Sequence, residues 1–223
     1  MAKTILITGA SSGIGAATAR AAAEAGWNVA LCARSEDKLA AIADEIGASA
    51  LALPCDVTDR DAISNALARA ADHFGSIDAV YANAGTGVEK PGVENGDPQE
   101  WHDMIHVNVL AVLYAAHAAI PHLRKTKGHF LVTGSKAGRD HMKGSVYSAT
   151  KWFVHGFAEN LAEEMREWGG RATVIAPGMV NTEFFDEEKP TKIQPEDVAN
   201  AVVFALSQPA TAAVREIYIM PND

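Results

Sequence analysis

Tyr147 and Lys151 stand four residues apart in the segment Tyr147-Ser148-Ala149-Thr150-Lys151. On a helix that spacing makes two side chains neighbours. An ammonium beside a phenol favours the phenolate and draws the tyrosine pKa down from about 10 toward working pH. A tyrosine tuned in this way can serve as a general acid or base. Two polar residues upstream keep company with the pair: Ser135, which follows an apolar run, and Asn108, which lies within one.

A second kind of chemistry is written at the start of the chain. Thr8-Gly9-Ala10-Ser11-Ser12-Gly13-Ile14-Gly15 follows the apolar Thr4-Ile5-Leu6-Ile7 and leads into an alanine-rich stretch. Glycines permit a sharp turn and a close backbone approach to a pyrophosphate, and the helix beyond offers free N–H groups and a positive dipole end. The spacing is Gly-x3-Gly-x-Gly, distinct from the common G-x-G-x-x-G fingerprint. Alanines at 16, 17, 19, 21, 22 and 23 keep the following helix slim enough to pack closely on a sheet.

The elements that must carry these groups alternate along the chain. Short apolar runs predict strands at 4–8, 28–33, 50–54, 79–82, 129–133, 171–176 and 216–220. Helical patterns fill 13–25, 36–46, 59–74, 98–123, 146–168 and 195–206. Such alternation predicts an α/β fold with a doubly wound parallel sheet of about seven strands and helices on both faces. Ligands then bind at the carboxyl ends of the strands, where each motif lies. A chain of 223 residues, 48% hydrophobic, fits one domain over 1–223 better than two.

In these motifs the chain resembles the short-chain dehydrogenases/reductases in their compact, Rossmann-type form. Residues 8–15 look like that family's cofactor turn, including Gly9, Ser11, Ser12, Gly13, Ile14 and Gly15. Asn83-Ala84-Gly85 resembles its Asn-Ala-Gly motif. Asn108, Ser135, Tyr147 and Lys151 match its catalytic tetrad, and Pro177-Gly178, with Val180 and Thr182 beyond, its turn over the nicotinamide. The resemblance runs from about residue 3 to 220, with five motifs in order. It implies that Tyr147 exchanges a proton with the substrate oxygen and that Ser135 positions that oxygen. Lys151 then lowers the tyrosine pKa and holds the nicotinamide ribose, while Asn108 orients the lysine through a water. Asn83 steadies the central sheet through backbone hydrogen bonds. Two departures are visible: Ala82 stands where the family carries a second Asn, and the serine-to-tyrosine spacing of 12 is often one longer in the family.

The end of the second strand bears on the choice of cofactor. NAD sites carry an acid about 20 residues after the glycine turn, to accept the ribose hydroxyls. Here the place is held by Ala33, followed by Arg34 and Ser35. Without the acid a 2′-phosphate is not repelled, and a guanidinium can pair with it, so NADP(H) is expected over NAD(H). Asp56 and Val57 resemble the family's adenine contacts. Substrate walls are expected at 85–93, 136–143 and 179–186, with Met179, Val180, Phe184 and Phe185 as an apolar lid. A short lid suits a small or open substrate site. Lys136, Arg139, His141 and Lys143 read as loop charge in preference to a carboxylate-binding set.

Other features read more plainly. His102 and His106 are spaced like zinc ligands, but Asp103 replaces the glutamate base and no third ligand is evident, so no metal is expected. Trp152, Phe153 and Phe157 suit core or a subunit interface, and similar family members form homodimers or homotetramers. Glu163, Glu164, Arg166 and Glu167 read as a solvated face. A net charge of −9 argues against nucleic acid or an anionic membrane as partner. No apolar run approaches the ~20 residues of a membrane span. The chain enters a strand directly after Lys3 with no signal peptide, and Cys32 and Cys55 read as reduced buried thiols, so cytoplasm is expected. A small-molecule NADP(H)-dependent carbonyl reductase or alcohol dehydrogenase is the leading reading. A catalytically silent NADP(H)-binding sensor or scaffold is the alternative, disfavoured because Tyr147 and Lys151 are both present.

Overall fold

Alternation within the first strand sets the layering. In β1 (Thr4–Thr8) Ile5 and Ile7 face one side and Leu6 the other, and all three are fully buried. A strand buried on both faces belongs in the middle of a covered parallel sheet. The computed structural model describes residues 2–185 and 187–222. The other strands are β2 (Asn28–Ala33), β3 (Ala50–Pro54), β4 (Ala79–Ala82), β5 (His129–Thr133), β6 (Arg171–Pro177) and β7 (Glu216–Ile219). They pair in parallel in the order β3-β2-β1-β4-β5-β6-β7. The order reverses between β1 and β4, so this is a doubly wound sheet of the Rossmann type, with a switch point for ligands at that crevice.

Helices α1 (Gly13–Glu24), α2 (Glu36–Ile46) and α7 (Pro195–Ser207) cover one face, packing Ala19, Ala22, Leu39, Val198 and Val202 onto Ile5, Ile7 and Leu31. The other face carries α3 (Arg60–Phe74), α5 (Ala111–Thr126) and α6 (Val146–Arg166), with Leu67, Ala115, Leu123, Val154 and Leu161 against Leu6, Phe130 and Val132. Helix α4 (Pro98–Ile105) runs into α5 through one π-turn, His106–Leu110. Together they make a 29-residue helix, apolar enough by length and composition to cross a membrane, which the sequence reading did not expect. Its buried stripe of Val112, Ala115, Ala119 and Leu123 packs into the core, as a covering helix does.

Most predicted boundaries hold to within a residue or two. The exception lies at the C-terminus of α5, which runs three residues past the expected end at Leu123 to Thr126. Cys32 and Cys55 are buried and unbridged. The neighbouring Cys55 thiol and burial hold the Cys32 thiol up.

Candidate active site

The glycine turn is shaped by contacts that exclude side chains. Gly9 and Gly13 have φ of 65° and 49°, where glycine is favoured. A Cβ on Gly15 would stand 2.1 Å from the Gly9 carbonyl oxygen, so the first turn of α1 closes directly onto the loop. Ser12 at the N-cap makes no side-chain cap, leaving the amides at the start of α1 without that partner.

Asn83 ties this turn to the middle of the sheet. Its Nδ2 donates to the Thr8 carbonyl at 3.1 Å and reaches the Gly9 carbonyl at 3.4 Å. The Asn83 and Ala84 amides both donate to Thr8 Oγ1. Its Oδ1 lies 2.9 Å from the Thr133 hydroxyl, which in turn sits 2.7 Å from the buried Tyr81 hydroxyl. Three strand ends, β1, β4 and β5, are thereby fixed to one carboxamide.

Ser135, Tyr147 and Lys151 converge just beyond β5. Ser135 caps the 3-10 turn Lys136–Gly138, its Oγ accepting from the Ala137 amide at 3.1 Å. The same hydroxyl lies close enough to the Tyr147 phenol to lower its pKa. Lys151 is 5% exposed, donates from Nζ to the Thr133 carbonyl at 2.9 Å, and lies 5.8 Å from the centre of the Tyr147 ring. Burial pushes Lys151 down to about 8. Tyr147 is pushed upward by burial, against which the Ser135 hydroxyl works. This differs from the sequence expectation that the lysine draws the phenol down. The ammonium is committed to Thr133, and desolvation of the phenol dominates.

Asn108 lies in the π-turn and is 1% exposed. Its Oδ1 accepts from the Thr86 amide and its Nδ2 donates to the Thr86 carbonyl, both at 2.9 Å, with a longer bond of 3.2 Å to Thr150 Oγ1. The side chain therefore pins the loop after β4 to α6, next to Lys151. Gly85 lies between the two: a Cβ there would touch Asn108 Oδ1 at 3.4 Å and Lys151 Nζ at 3.7 Å. Competing serines are occupied, Ser145 capping α6 and Ser148 donating to the Ala137 carbonyl at 2.7 Å.

The remaining predicted residues surround this centre. Pro177 ends β6, and the Gly178 amide donates to the Ile219 carbonyl. Thr182 lies over the glycine turn, its Cγ2 within 3.1 Å of a Cβ placed on Gly13. Phe184 rests 5.9 Å from Tyr147, centre to centre, and close over Gly87. Val180 departs from the lid expectation: it is 5% exposed and bridges Ile193, so its side chain anchors the segment in the core. Asp186, the last residue of the expected wall 179–186, lies outside the described residues. Arg34 and Ser35 are exposed after β2. Hydrogen bonds from the Thr58 amide and hydroxyl hold Asp56 below the usual carboxylate range, with a smaller contribution from Arg34. Val57 packs beside Ala82 and Ala84 around a void of about 10 Å³.

Two of the four loop cations are spent within the protein. Lys136 pairs with Asp140, and Arg139 with Glu216 of β7. The His102 and His106 rings meet at a tilt of 56° with centres 4.5 Å apart, and His102 pairs with Asp103. Phe153 and Phe157 stack against the core, whereas Trp152 is 45% exposed.

Sequence reasoning missed Thr133, Thr86, Thr150 and His155 as parts of this assembly. His155 continues the Tyr147–Lys151 stripe by a further four residues, a signal that was available. Its ring accepts from the Ser135 amide at 3.4 Å.

This arrangement places the chain in a known class. A sequence model of the short chain dehydrogenases matches residues 3–193. A relative from Staphylococcus epidermidis, described as an uncharacterised oxidoreductase, is 35% identical over 226 positions, covering 98% of this chain and 97% of its own. One from Staphylococcus aureus is 36% identical over 225 positions with the same coverage. Among solved structures, an alcohol dehydrogenase from the archaeon Thermococcus sibiricus, complexed with 5-hydroxy-NADP, superposes with a TM-score of 0.92 at 32% identity, covering 100% of this chain and 97% of that one. Serine dehydrogenase from Escherichia coli gives 0.89 at 30% identity, covering 98% and 97%. A 3-ketoacyl-(acyl-carrier-protein) reductase from Brucella melitensis, complexed with NADH, gives 0.88 at 28%, covering 97% and 96%. The chain belongs to the short-chain dehydrogenase/reductase family of oxidoreductases.

Proposed function

We propose that this protein is an NADP(H)-dependent oxidoreductase acting on small, neutral carbonyl compounds or the matching alcohols. The observation that carries the reading is the convergence of the Ser135 hydroxyl, the Tyr147 phenol and the buried Lys151 ammonium at the carboxyl end of β5, facing the glycine turn. The turn suits a dinucleotide, because Gly9, Gly13 and Gly15 leave room for close backbone approach and α1 presents amides to a pyrophosphate. The nicotinamide supplies or accepts the hydride.

This chain's residues handle the proton and the positioning. Tyr147 gives a proton to the carbonyl oxygen in reduction and takes one from the alcohol in oxidation. Ser135 donates to the same oxygen. Lys151 holds the ribose and offsets phenolate charge, and Asn108 and Asn83 keep the surrounding loops in place. Gly9, Ser11, Ser12, Gly13, Ile14 and Gly15 hold the pyrophosphate with Thr182, Asp56 and Val57 flank the adenine, and Ala84, Gly85, Pro177 and Gly178 flank the nicotinamide. Val180 contributes there through its backbone alone.

Preference for NADP(H) rests on exposed Arg34 and Ser35 beyond β2, with no acid at Ala33. Complexes of the T. sibiricus enzyme with 5-hydroxy-NADP and of a serine dehydrogenase with NADP+ support it, while the B. melitensis reductase was solved with NADH. The neutral character of the substrate is read from the mouth of the site. Val93, Met142, Met179 and Phe184 are exposed apolar residues on three loops there, and Lys136 and Arg139 are already paired. Exposed Trp152, Phe204, Tyr218 and Met220 favour a homodimer or homotetramer. Absence of bridging between Cys32 and Cys55 accords with cytoplasm.

The test is oxidation of NADPH and NADH by purified protein over a panel of small aldehydes, ketones, diketones and keto acids. Turnover of neutral members with NADPH is expected. Tight NADPH binding with no turnover anywhere in the panel would contradict the enzymatic reading.

A further inference from the structure

His155 sits behind the candidate active site on α6, one helical step past Lys151, with its side chain 14% exposed. Its ring occupies the space behind the Ser135 loop. A Cβ on Gly134 would stand 2.6 Å from His155 Nε2, and one on Gly138 would stand 2.7 Å from Cδ2. Glycines on either side of Ser135 therefore make room for this one imidazole.

The ring is held at one nitrogen and faces a carboxylate with the other. Nε2 lies 3.4 Å from the Ser135 amide, positioned to accept its hydrogen. Nδ1 faces Glu216 Oε1 of β7 at 3.6 Å, beyond hydrogen-bond length, and that oxygen is buried with no hydrogen-bond partner among the described residues. The second carboxylate oxygen of Glu216 takes Arg139, whose guanidinium also lies over the Tyr218 ring. A chain of contacts thus runs from β7 through Glu216 and His155 to the backbone of Ser135, whose hydroxyl lies beside the Tyr147 phenol.

We propose that His155 is a positioning residue for Ser135, holding the serine backbone through a neutral ring that Glu216 orients. The inference rests on the assignment of Ser135 as the residue that positions the substrate oxygen. The geometry requires one tautomer, with hydrogen on Nδ1 toward Glu216 and a lone pair on Nε2 toward Ser135. Protonation would set an Nε2–H against the Ser135 N–H and break the contact.

The surroundings hold the ring neutral at ordinary pH. Burial lowers the His155 pKa most; Glu216 on β7 and the Ser135 backbone raise it, and Arg139 on the loop and Lys151 on the same helix lower it. As pH falls through the pKa of the folded protein, the ring gains a proton and the serine loses its support. Turnover should therefore carry an acid limb that belongs to His155.

Four variants test this by steady-state turnover against pH, using NADPH and the best neutral carbonyl of the panel. His155→Gln keeps an acceptor near the Nε2 position without a titrating ring. It should retain kcat within about threefold at pH 7.5 and lose the acid limb. His155→Leu keeps bulk without an acceptor and should lower kcat at least tenfold, with KM for NADPH changed less than threefold. Glu216→Gln removes the charge that raises the ring pKa, so the acid limb should move to lower pH. The Glu216 arm stands if His155→Leu does not fold. An acid limb unchanged in both His155→Gln and Glu216→Gln would overturn the proposal, as would wild-type kcat in folded His155→Leu. Ser135→Ala separates the two levels. If it keeps full activity, the role of Ser135 itself is wrong. If it is inactive while His155→Leu is normal, only the role of His155 is.

Discussion

Lys151 donates its Nζ proton to the backbone carbonyl of Thr133 at 2.9 Å, and the hydroxyl of that same Thr133 lies 2.9 Å from Asn83 Oδ1. One strand-end residue thereby joins the buried ammonium to the carboxamide that fixes the glycine turn. The lysine is placed for chemistry at a cost to folding, since burial lowers its pKa to about 8 from the usual 10.5.

That cost has a definite pH dependence. Between about 8 and 10.5 the unfolded chain binds a proton at this lysine and the folded chain does not, so raising pH stabilises the fold across that window. Below about 8 both states are protonated and the full penalty, about 3 kcal/mol, is present. Lys151→Met removes it while orphaning one carbonyl. The variant should be at least as stable as the parent in urea at pH 7, and its advantage should shrink as pH rises from 8 to 10. A deficit of more than about 2 kcal/mol at pH 7 would show that the lysine is not a strained group.

Two glycines should respond oppositely to alanine. A Cβ at Gly15 would meet the Gly9 carbonyl at 2.1 Å, so Gly15→Ala should cost about 2–3 kcal/mol and weaken cofactor binding. Gly156, inside α6 with nothing within 4 Å of a Cβ, should gain about 0.5–1 kcal/mol from the same change. Urea unfolding of both variants checks the pair. Equal effects would show that close packing of the turn is not what demands glycine.

Cofactor choice turns on Arg34. Arg34→Ala should raise Kd for NADPH about tenfold or more, the worth of one charge-assisted hydrogen bond, and leave NADH within about twofold. Titration of intrinsic or nicotinamide fluorescence reads both. Equal losses would mean that Arg34 does not read the phosphate.

The fold was legible because its signals are periodic. Seven apolar runs became seven parallel strands, since strands buried on both faces need continuous apolar sequence. Tyr147, Lys151 and the glycine turn were visible from spacing on single elements. Asn108 was singled out, but its partners Thr86 and Thr150 were not, because they come from a loop and another helix. The Arg139–Glu216 pair joins residues 77 apart, and no local pattern records it. The buried position of Val180 was misread for a related reason. Its apolar side chain suited a lid as well as a core, and only the bridge to Ile193 decides between them.

The most direct measurement compares the parent with Tyr147→Phe, which removes the transferable proton and leaves the ring in place. With NADPH and a neutral carbonyl, kcat should fall at least 100-fold, as expected when a general acid is lost, while Kd for NADPH stays within about threefold. A kcat reduced by less than threefold, with cofactor still bound, would contradict the role of Tyr147 as proton donor.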